Sequence, residues 1–293
     1  MRLLVIGGTR FVGRAIVEAA LRGGHDVTLF NRGSDTASFP EVPRILGDRN
    51  TDAIERIGEQ SWDAVVDVTA YRPEQVRSAM RALRGRAAHH VFISTVSVYA
   101  DAVAEGADES APLADADEAN VPPDPRAAYG ELKVLCERAM RDATDSLTVL
   151  RPTIVIGEHD PTDRFAWWVK RIAQGGRLRV PARDDQPVQL VDAGDLAAFA
   201  VHAAEQSLRG TFNVTAPVER LTLRGMVEVI AGVAGVSVEL EHVDSLDFPL
   251  CIASGPVDWG IYTLSSAAAR GAGLRLRPLR DSTGDVLRTV RTS

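Results

Sequence analysis

The N-terminal 24 residues carry the pattern that most constrains the fold. The apolar run 3–6 is followed directly by a turn with glycines at positions 7, 8 and 13. After the turn, apolar side chains recur at helical spacing, at Val12, Ile16, Val17, Ala20 and Leu21. The glycine pair at 23–24 is typical of a helix end. A strand, a glycine-rich turn and a helix in this order predict the start of a βαβ unit.

Strand and helix patterns then alternate through the first half of the chain. Short apolar runs predict further strands over 26–30, 44–46, 64–68, 90–93 and 147–150. Helical patterns occupy two of the intervening segments, 73–83 and 129–144. Because parallel strands need a crossover between them, this alternation predicts an α/β fold of the Rossmann type, with a doubly wound parallel sheet.

The alternation ends after Arg151-Pro152. Residues 157–190 are rich in Gly, Pro, Asp and Arg around one helical piece at 165–173. Later apolar runs predict short returns to the sheet at 189–192 and 210–214, then a helix over 223–234 and a strand over 236–240. We therefore expect a first domain over 1–156, with sheet returns near 189–214, and a smaller interleaved lobe mainly over 157–293.

The glycine-rich turn is a candidate nucleotide site. Glycines let the backbone approach a pyrophosphate, and the helix N-terminus directs N–H groups at it. The predicted contacts are Gly7, Thr9, Arg10, Phe11, Val12 and Gly13. Arg10 stands where a glycine is common: its bulk limits close approach, whereas its guanidinium can bind a phosphate through two hydrogen bonds. A strand–turn–helix without a nucleotide is the alternative.

The end of the second predicted strand distinguishes two cofactors. NAD sites usually have an acidic residue there for the ribose 2′-OH, whereas an arginine suits a 2′-phosphate. This chain has Asn31, Arg32 and Ser34. The pattern favours NADP(H) as the cofactor, with NAD(H) as the second choice. The alternative interpretation of Arg32 is a solvated surface arginine at a turn. Further along, Asp48 is placed to meet the adenine amino group, with Arg49 beside it.

Tyr129 and Lys133 are candidate catalytic residues. Four residues apart, they share one face of the predicted helix. A free tyrosine has a pKa of about 10, and a nearby ammonium is expected to lower it. The preceding strand ends in Ile93-Ser94-Thr95. Because open α/β sheets bind ligands at the carboxyl ends of their strands, these hydroxyls and the Tyr–Lys pair are expected at one site.

The chain resembles the extended short-chain dehydrogenase/reductase superfamily, specifically its NAD-dependent epimerase/dehydratase family. The matching stretches are the glycine turn, Val98-Tyr99, the YxxxK of 129–133, Leu150-Arg151-Pro152, residues 191–197, Gly273-Leu274 and residues 277–279. The GGTRFVG form of the turn is similar to an atypical subgroup that includes plant chloroplast stem-loop RNA-binding proteins.

The resemblance implies roles for particular residues. Thr95, four residues before Tyr99, orients and polarises the substrate oxygen; Tyr129 is the acid/base; Lys133 tunes its pKa and holds the nicotinamide ribose. The further predicted cofactor contacts are Thr69, Ala70, Ser94 and Pro152. The predicted substrate contacts are Tyr71, Val96, Ser97, Trp167 and Trp168, with packing between the lobes as the alternative for the two tryptophans. A polar cluster that can face the substrate comprises His159, Asp160 and Asp163.

Charge and composition argue against several classes of protein. The chain has a net charge of −7, and eight of its acidic residues lie between 101 and 125. The rest of the chain is therefore close to neutral and has no basic stripe, so a nucleic-acid partner is not expected. The acidic segment is interpreted as either a lid or a solvated loop.

The histidines and cysteines do not predict a metal site. Six histidines and two cysteines, Cys136 and Cys251, show no metal-ligand spacing, and reduced thiols are expected. Without a long apolar run, neither a membrane span nor a signal peptide is expected, which indicates a cytoplasmic protein.

Three functions remain open from the sequence. The first is an NADP(H)-dependent oxidoreductase acting on a small carbonyl compound, and the second a sugar-nucleotide epimerase or dehydratase with bound NAD. The third is a Rossmann protein that only binds a nucleotide or RNA. The resemblance also implies a possible homodimer through the YxxxK helix, where Leu135, Ala139 and Met140 serve either the dimer or the core.

Overall fold

A seven-stranded parallel sheet forms the centre of the computed structural model, which describes residues 1–121, 127–180, 183–243 and 256–292. Its strands, numbered along the chain, are β1 (Arg2–Ile6), β2 (Asp26–Asn31), β3 (Arg44–Leu46), β4 (Ala64–Asp67), β5 (His90–Ile93), β6 (Leu147–Pro152) and β11 (Gly210–Val214). Their order in the sheet is β11-β6-β5-β4-β1-β2-β3. The order reverses beside β1, because the chain runs outward first to β3 and then back through β4 to the opposite edge.

Helices cover both faces of this sheet, as the strand–helix alternation predicts. Leu3 and Val5 of β1 point to one face, where α1 (Phe11–Arg22) packs on α5 (Ala193–Glu205). Leu4 and Ile6 point to the other, which carries α2 (Pro73–Ala82), α3 (Tyr129–Ala143) and a 3-10 helix over Asp52–Glu59. The period-two alternation of β1 therefore divides its apolar side chains between two cores.

A second lobe has its own apolar core. It contains α4 (Arg164–Ile172), α6 (Leu223–Ala234), α8 (Leu279–Thr292) and a parallel pair of strands, β8 (Gly176–Val180) and β13 (Val238–His242). The remaining elements are short. They are the strand pairs β7 (Ile154–Ile156) with β10 (Leu190–Asp192) and β9 (Pro187–Val188) with β12 (Leu221–Thr222), α7 (Ala267–Gly271), and 3-10 helices over Val96–Val98 and Pro256–Tyr262.

Two sequence-based expectations need correction. The return at 210–214 joins the main sheet as β11, but 190–192 pairs with β7 in a separate two-stranded sheet. Leu21, predicted on the buried face of α1, is 39% exposed. The pattern analysis also missed β8, where only Leu178 and Val180 of five residues are buried. A strand this short and this rich in arginine gives too few alternations to be recognised.

Candidate active site

A cavity of about 700 Å³ opens at the carboxyl ends of β1, β2, β4, β5 and β6. It brings together most of the predicted site residues. Those that line it are Gly7, Thr9, Arg10, Phe11, Val12, Gly13, Asn31, Arg32, Ser34, Asp48, Arg49, Thr69, Tyr71, Ser94, Thr95, Val96, Ser97, Tyr129, Lys133 and Pro152. Because all main-sheet strands are parallel, their carboxyl ends meet at one edge, and residues from distant parts of the sequence line a single space.

The glycine turn is close-packed against its own helix. Gly7 and Gly8 have φ values of +114° and +98°, a region that side chains rarely adopt. A Cβ at Gly13 would lie 2.9 Å from the Gly8 nitrogen. Arg10, by contrast, has an extended backbone at φ −131° and ψ 140°, so this position does not require glycine. Arginine in place of the usual glycine at position 10 therefore leaves the turn intact and places an exposed cation on the cavity wall.

The end of β2 is arranged by Asn31. Its Oδ1 accepts a 2.9 Å hydrogen bond from the Gly33 nitrogen, and its Nδ2 donates to the Gly7 carbonyl at 3.5 Å. The asparagine thereby ties the turn after β2 to the turn after β1. Arg32 and Ser34, both exposed, line the same part of the cavity. Among the described residues that line it, Asp48 is the only acidic one.

Arg49, a predicted cofactor contact, lines the cavity but is held by other residues. Its Nη1 and Nη2 donate to the Asp67 carboxylate at 2.8 and 2.9 Å, to Thr69 Oγ1 at 2.9 Å and to the Gln75 carbonyl at 3.1 Å. Burial acts to raise the pKa of Asp67, but the charge and hydrogen bonds of Arg49, together with the Thr69 N–H, outweigh it and lower that pKa. Four of the five donors of Arg49 are thus committed, so this side chain supports the cavity floor instead of offering a free cation.

Lys133 lies beneath the centre of the cavity. Its Nζ donates to the carbonyls of Ala70 at 3.0 Å and Ile93 at 2.7 Å, and lies 4.3 Å from the centroid of the Phe92 ring. Burial disfavours the ammonium and lowers its pKa to about 8, against the raising effect of nearby acidic groups. Ala70, a predicted cofactor contact, does not line the cavity; it is fully buried and holds Lys133 through its carbonyl.

Tyr129 begins α3 and is 36% exposed at the cavity wall. Burial raises the pKa of its phenol to about 12, and Tyr71, whose ring centroid is 6.5 Å away, adds to the rise. A side-chain hydrogen bond with Thr95 acts in the opposite direction. The expected net lowering of this pKa is not found, because the effect of burial is the largest and raises it.

Ser94 and Thr95 have separate partners. Ser94 donates a 2.6 Å hydrogen bond to Glu137 Oε1, and Arg151 grips the same carboxylate through Nε at 2.9 Å and Nη2 at 2.7 Å. Thr95 instead donates to the Ser97 hydroxyl at 3.2 Å and contacts Tyr129. Of the two hydroxyls, therefore, Thr95 is the one available beside the phenol.

The cavity wall also contains residues that the sequence analysis missed. Pro161 and Arg164 line the cavity, together with Ile154 and Val155 of β7. The polar cluster of His159, Asp160 and Asp163 does not line it. Neither predicted tryptophan does: Trp168 is 1% exposed in the core of the second lobe, and Trp167 packs against that core. The helical spacing of Phe165, Trp168, Val169 and Ile172 was the available signal for burial.

The described part of the acidic segment, 101–121, is packed against the protein body. Glu109 Oε1 accepts from the Asn213 nitrogen at 2.6 Å, the Ala116 carbonyl accepts from Arg138 at 2.6 Å, and Glu118 pairs with Arg77. None of residues 101–121 lines the cavity, so this part does not form the lid that was one of two interpretations. Residues 122–126 of the segment lie outside the described residues.

The remaining predictions concern features outside the cavity. Leu135, Ala139 and Met140 of α3 are buried in the core of this chain, which was one of the two predicted roles. Cys136 is buried, and burial raises the pKa of its thiol to about 12, whereas Cys251 lies outside the described residues. Across the described residues there is no group of three potential metal ligands and no helix long and apolar enough to span a membrane.

Comparison with known proteins gives a family match over most of the chain. The sequence model of the NAD dependent epimerase/dehydratase family matches residues 3–215. The chain is 25% identical over 267 residues to the chloroplast stem-loop binding protein of 41 kDa b from Arabidopsis thaliana, covering 84% of this chain and 67% of that protein. It is also 25% identical over 256 residues to the bifunctional pinoresinol-lariciresinol reductase 3 of Thuja plicata, covering 83% and 78%.

Solved structures share the fold. The UDP-glucuronic acid 4-epimerase of Bacillus cereus, in complex with NAD, superposes with a TM-score of 0.76 at 15% identity, covering 100% of this chain and 97% of that one. The UDP-glucose 4-epimerase of Thermus thermophilus, also in complex with NAD, gives a TM-score of 0.72 at 22% identity, with 100% of both chains covered.

Proposed function

Because the chain belongs to the NAD dependent epimerase/dehydratase family, we propose that it is an NADP(H)-dependent oxidoreductase. It would move a hydride to or from the carbonyl or alcohol carbon of a small molecule. The observation that carries the proposal is one shared cavity: the glycine turn, Tyr129, Thr95 and Lys133 all line it. A nucleotide lying along the turn would bring its reactive end toward these three side chains.

The residues around the cavity fit a phosphate-rich cofactor. A bound nicotinamide cofactor supplies or accepts the hydride. Arg10 and Arg32 form no ion pair among the described residues, so both can bind phosphate, and Ser34 adds a hydroxyl donor beside them. Asn31, unlike an aspartate, does not repel a 2′-phosphate. This set of donors supports NADP(H) over NAD(H).

Lys133 suits the role of a ribose anchor. An ammonium has three N–H donors, and the carbonyls of Ala70 and Ile93 accept two of them. The third remains for a ribose hydroxyl at the cavity. These carbonyls, from the segment after β4 and from the last residue of β5, hold the ammonium at the carboxyl edge of the sheet, where it would bind such a hydroxyl.

The protonation state of Tyr129 suits it to donate a proton. Burial raises the pKa of its phenol to about 12, so the phenol is protonated at neutral pH. When hydride reaches a carbonyl carbon, negative charge develops on the oxygen, which takes that proton while Thr95 holds the oxygen in place. In the oxidation direction the same phenol oxygen would take the proton back.

The second candidate is an epimerase or dehydratase with tightly bound NAD, which the solved epimerase relatives favour. Denaturing the purified protein and analysing the supernatant separates the two: stoichiometric NAD supports the epimerase, whereas an empty protein that takes up NADPH supports the reductase. The third candidate is a protein that only binds a nucleotide or RNA, and the Arabidopsis relative is named as a stem-loop binding protein. RNA binding with a steep salt dependence and no turnover would support it.

Replacing Tyr129 tests the mechanism. In Tyr129→Phe, the proton donor is lost while the ring remains, so turnover of any accepted carbonyl should fall by about 10²–10⁴-fold. NADPH binding, followed by its fluorescence, should change by no more than about threefold, because the hydroxyl is not a phosphate contact. Retained turnover would contradict the assignment, and loss of NADPH binding would show that the variant damages the site as a whole.

A further inference from the structure

Arg164 is a charged side chain on the wall of the cavity that also contains Tyr129. Two neighbours of Tyr129 are neutral: the Tyr71 ring centroid lies 6.5 Å away, and Thr95 hydrogen-bonds to the phenol. The buried ammonium of Lys133 donates to strand carbonyls. Arg164 is close enough to Tyr129 for its charge to act on the phenol. The cavity therefore has a half-buried cation in the neighbourhood of Tyr129.

The protein orients this guanidinium without neutralising it. Arg164 Nε donates to Thr162 Oγ1 at 2.9 Å, and the Thr162 hydroxyl donates to Asp160 Oδ1 at 2.7 Å. The adjacent Asp163 carboxylate is paired with Lys170, with oxygens 2.9 and 3.1 Å from Nζ. Among the described residues, nothing accepts a hydrogen bond from the two terminal nitrogens of Arg164, and no carboxylate forms an ion pair with it.

A half-buried arginine whose two terminal nitrogens are unused is suited to bind a planar or tetrahedral anion. Such a group presents parallel N–H donors that match two oxygens at once. The cofactor phosphates have other partners available, since Arg10 and Arg32 stand at the glycine turn and the end of β2. Arg164 instead stands on α4, in the second lobe, on the side of Tyr129.

We propose that Arg164 determines substrate specificity by binding an anionic group, a carboxylate or a phosphate, carried by the carbonyl substrate. The inference rests on the proposed function and adds the substrate class. The anion would anchor the substrate on α4, and the carbonyl would then lie between Thr95 and Tyr129. Neutral carbonyl compounds of the same shape would lack that anchor and bind weakly.

Matched probes test the charge requirement. Binding of levulinate and methyl levulinate, and of dihydroxyacetone phosphate and dihydroxyacetone, is measured by calorimetry on protein saturated with NADP⁺. The parent protein should bind the charged member of at least one pair about tenfold or more tightly. Which pair shows the preference distinguishes a carboxylate from a phosphate.

Three variants test whether Arg164 is the source of the preference for charged probes. Arg164→Gln should bring the charged and neutral probes within about twofold of each other, and Arg164→Lys should keep part of the preference because it keeps the charge. Arg177→Gln removes an equal charge at an exposed position of β8 and should leave the preference unchanged. NADPH binding should be the same in all four proteins.

Several outcomes would overturn the proposal. They are equal binding of charged and neutral probes by the parent, no binding of any probe, a preference that survives Arg164→Gln, or a fall in NADPH affinity in that variant. Failure of the proposed function is a separate result. If the parent does not bind NADPH, the cofactor assignment fails, while the same comparison on the unloaded protein still tests Arg164.

Discussion

At the scale of single residues, the environment decides what an arginine of this site can do. Arg49 and Arg151 are buried, and their guanidinium N–H groups donate to the carboxylates of Asp67 and Glu137. Arg32 carries the same group but is exposed on the cavity wall and forms no ion pair among the described residues. Buried arginines with carboxylate partners hold the structure together, whereas unpaired ones remain able to bind a ligand.

Removing Arg32 should therefore separate two cofactors. In Arg32→Ala, affinity for NADPH should fall about tenfold or more, because a charge-assisted contact with the 2′-phosphate is lost, and affinity for NADH should change by no more than about twofold. Fluorescence titration of both cofactors gives the two values. Arg22→Ala, an exposed arginine at the end of α1, is the control for a lost surface charge. An equal loss for both cofactors would refute the 2′-phosphate assignment.

At the scale of elements, the first turn and α1 are locked together through glycines. A methyl group at Gly13 would lie 2.9 Å from the nitrogen and 3.1 Å from the Cα of Gly8, and backbone atoms cannot move aside as a side chain can. At Gly232 in α6, by contrast, no atom lies within 4 Å of the position that a Cβ would occupy. The two helical glycines thus provide a matched pair.

Alanine should have opposite effects at these two positions. Gly13→Ala should destabilise the protein by about 1–3 kcal/mol through overpacking and should weaken NADPH binding, because the turn must shift. Gly232→Ala should stabilise it by up to about 1 kcal/mol, the difference in helix propensity. Urea unfolding measures both free energies. If Gly13→Ala were as stable as the parent, the close packing of the turn would not constrain the site.

Helix α3 is anchored to the sheet by a buried ion pair. Glu137 is fully buried and accepts from Ser94, at the end of β5, and from Arg151 in β6. Glu137 also lies one helical turn after Lys133. The network therefore joins the strand that carries Thr95 to the helix that carries Lys133 and Tyr129.

Breaking this pair should cost more than breaking a surface pair. Glu137→Gln leaves Arg151 buried without a counter-charge, so the free energy of unfolding should fall by about 3–5 kcal/mol. Glu239→Gln, whose partner Arg177 is exposed, should cost less than about 1 kcal/mol. Denaturant unfolding monitored by tryptophan fluorescence compares them. Similar small losses in the two variants would show that the buried pair does not anchor α3.

At the scale of the whole molecule, the cavity belongs to both lobes. The sheet provides its floor and one wall, while Ile154, Val155, Pro161 and Arg164 come from β7 and the start of the second lobe. The chain then returns through α5, which packs on α1, and adds β11 at the edge of the sheet beside β6. This return fixes the second lobe against the carboxyl edge of the sheet.

Stability of the whole fold should fall in mild acid. Burial lowers the pKa of His89 and of His90 to about 4, below the ordinary value of 6.5. Between these values the unfolded chain binds protons that the folded chain does not, so stability is complete above pH 6.5 and decreases as the pH falls toward 4. Thermal or urea unfolding across this range measures the decrease.

Asp195 acts in the opposite direction over part of the same range. Burial raises its pKa to about 6, so the folded state binds this proton before the unfolded state does, and its contribution to stability grows as the pH falls from 6 to 4. Asp195→Asn removes that compensation and should make the acid decrease steeper. An unchanged slope in this variant, or a parent protein equally stable at pH 7 and pH 4, would contradict the assignment.

The features of this protein that could be predicted from the sequence are those that depend on the order of neighbouring residues. The alternation of buried strands and helices led to the parallel sheet, and parallel strands put their carboxyl ends at one edge, so the glycine turn, Thr95, Tyr129 and Lys133 could be assigned to one site. These inferences hold because residue periodicity and strand direction are properties of neighbouring residues.

Which side chains are free to bind a ligand depends on contacts that the sequence does not reveal. Arg49 and Arg32 look equivalent in the sequence, yet Asp67 neutralises only Arg49. The sequence also gives no sign that two carbonyls accept hydrogen bonds from the Lys133 ammonium. Trp168 lies in a core and Arg164 lies in the cavity, four residues apart on one short helix. Pairing, burial and electrostatic shifts depend on contacts between residues distant in the chain, and a sequence pattern records only the near ones.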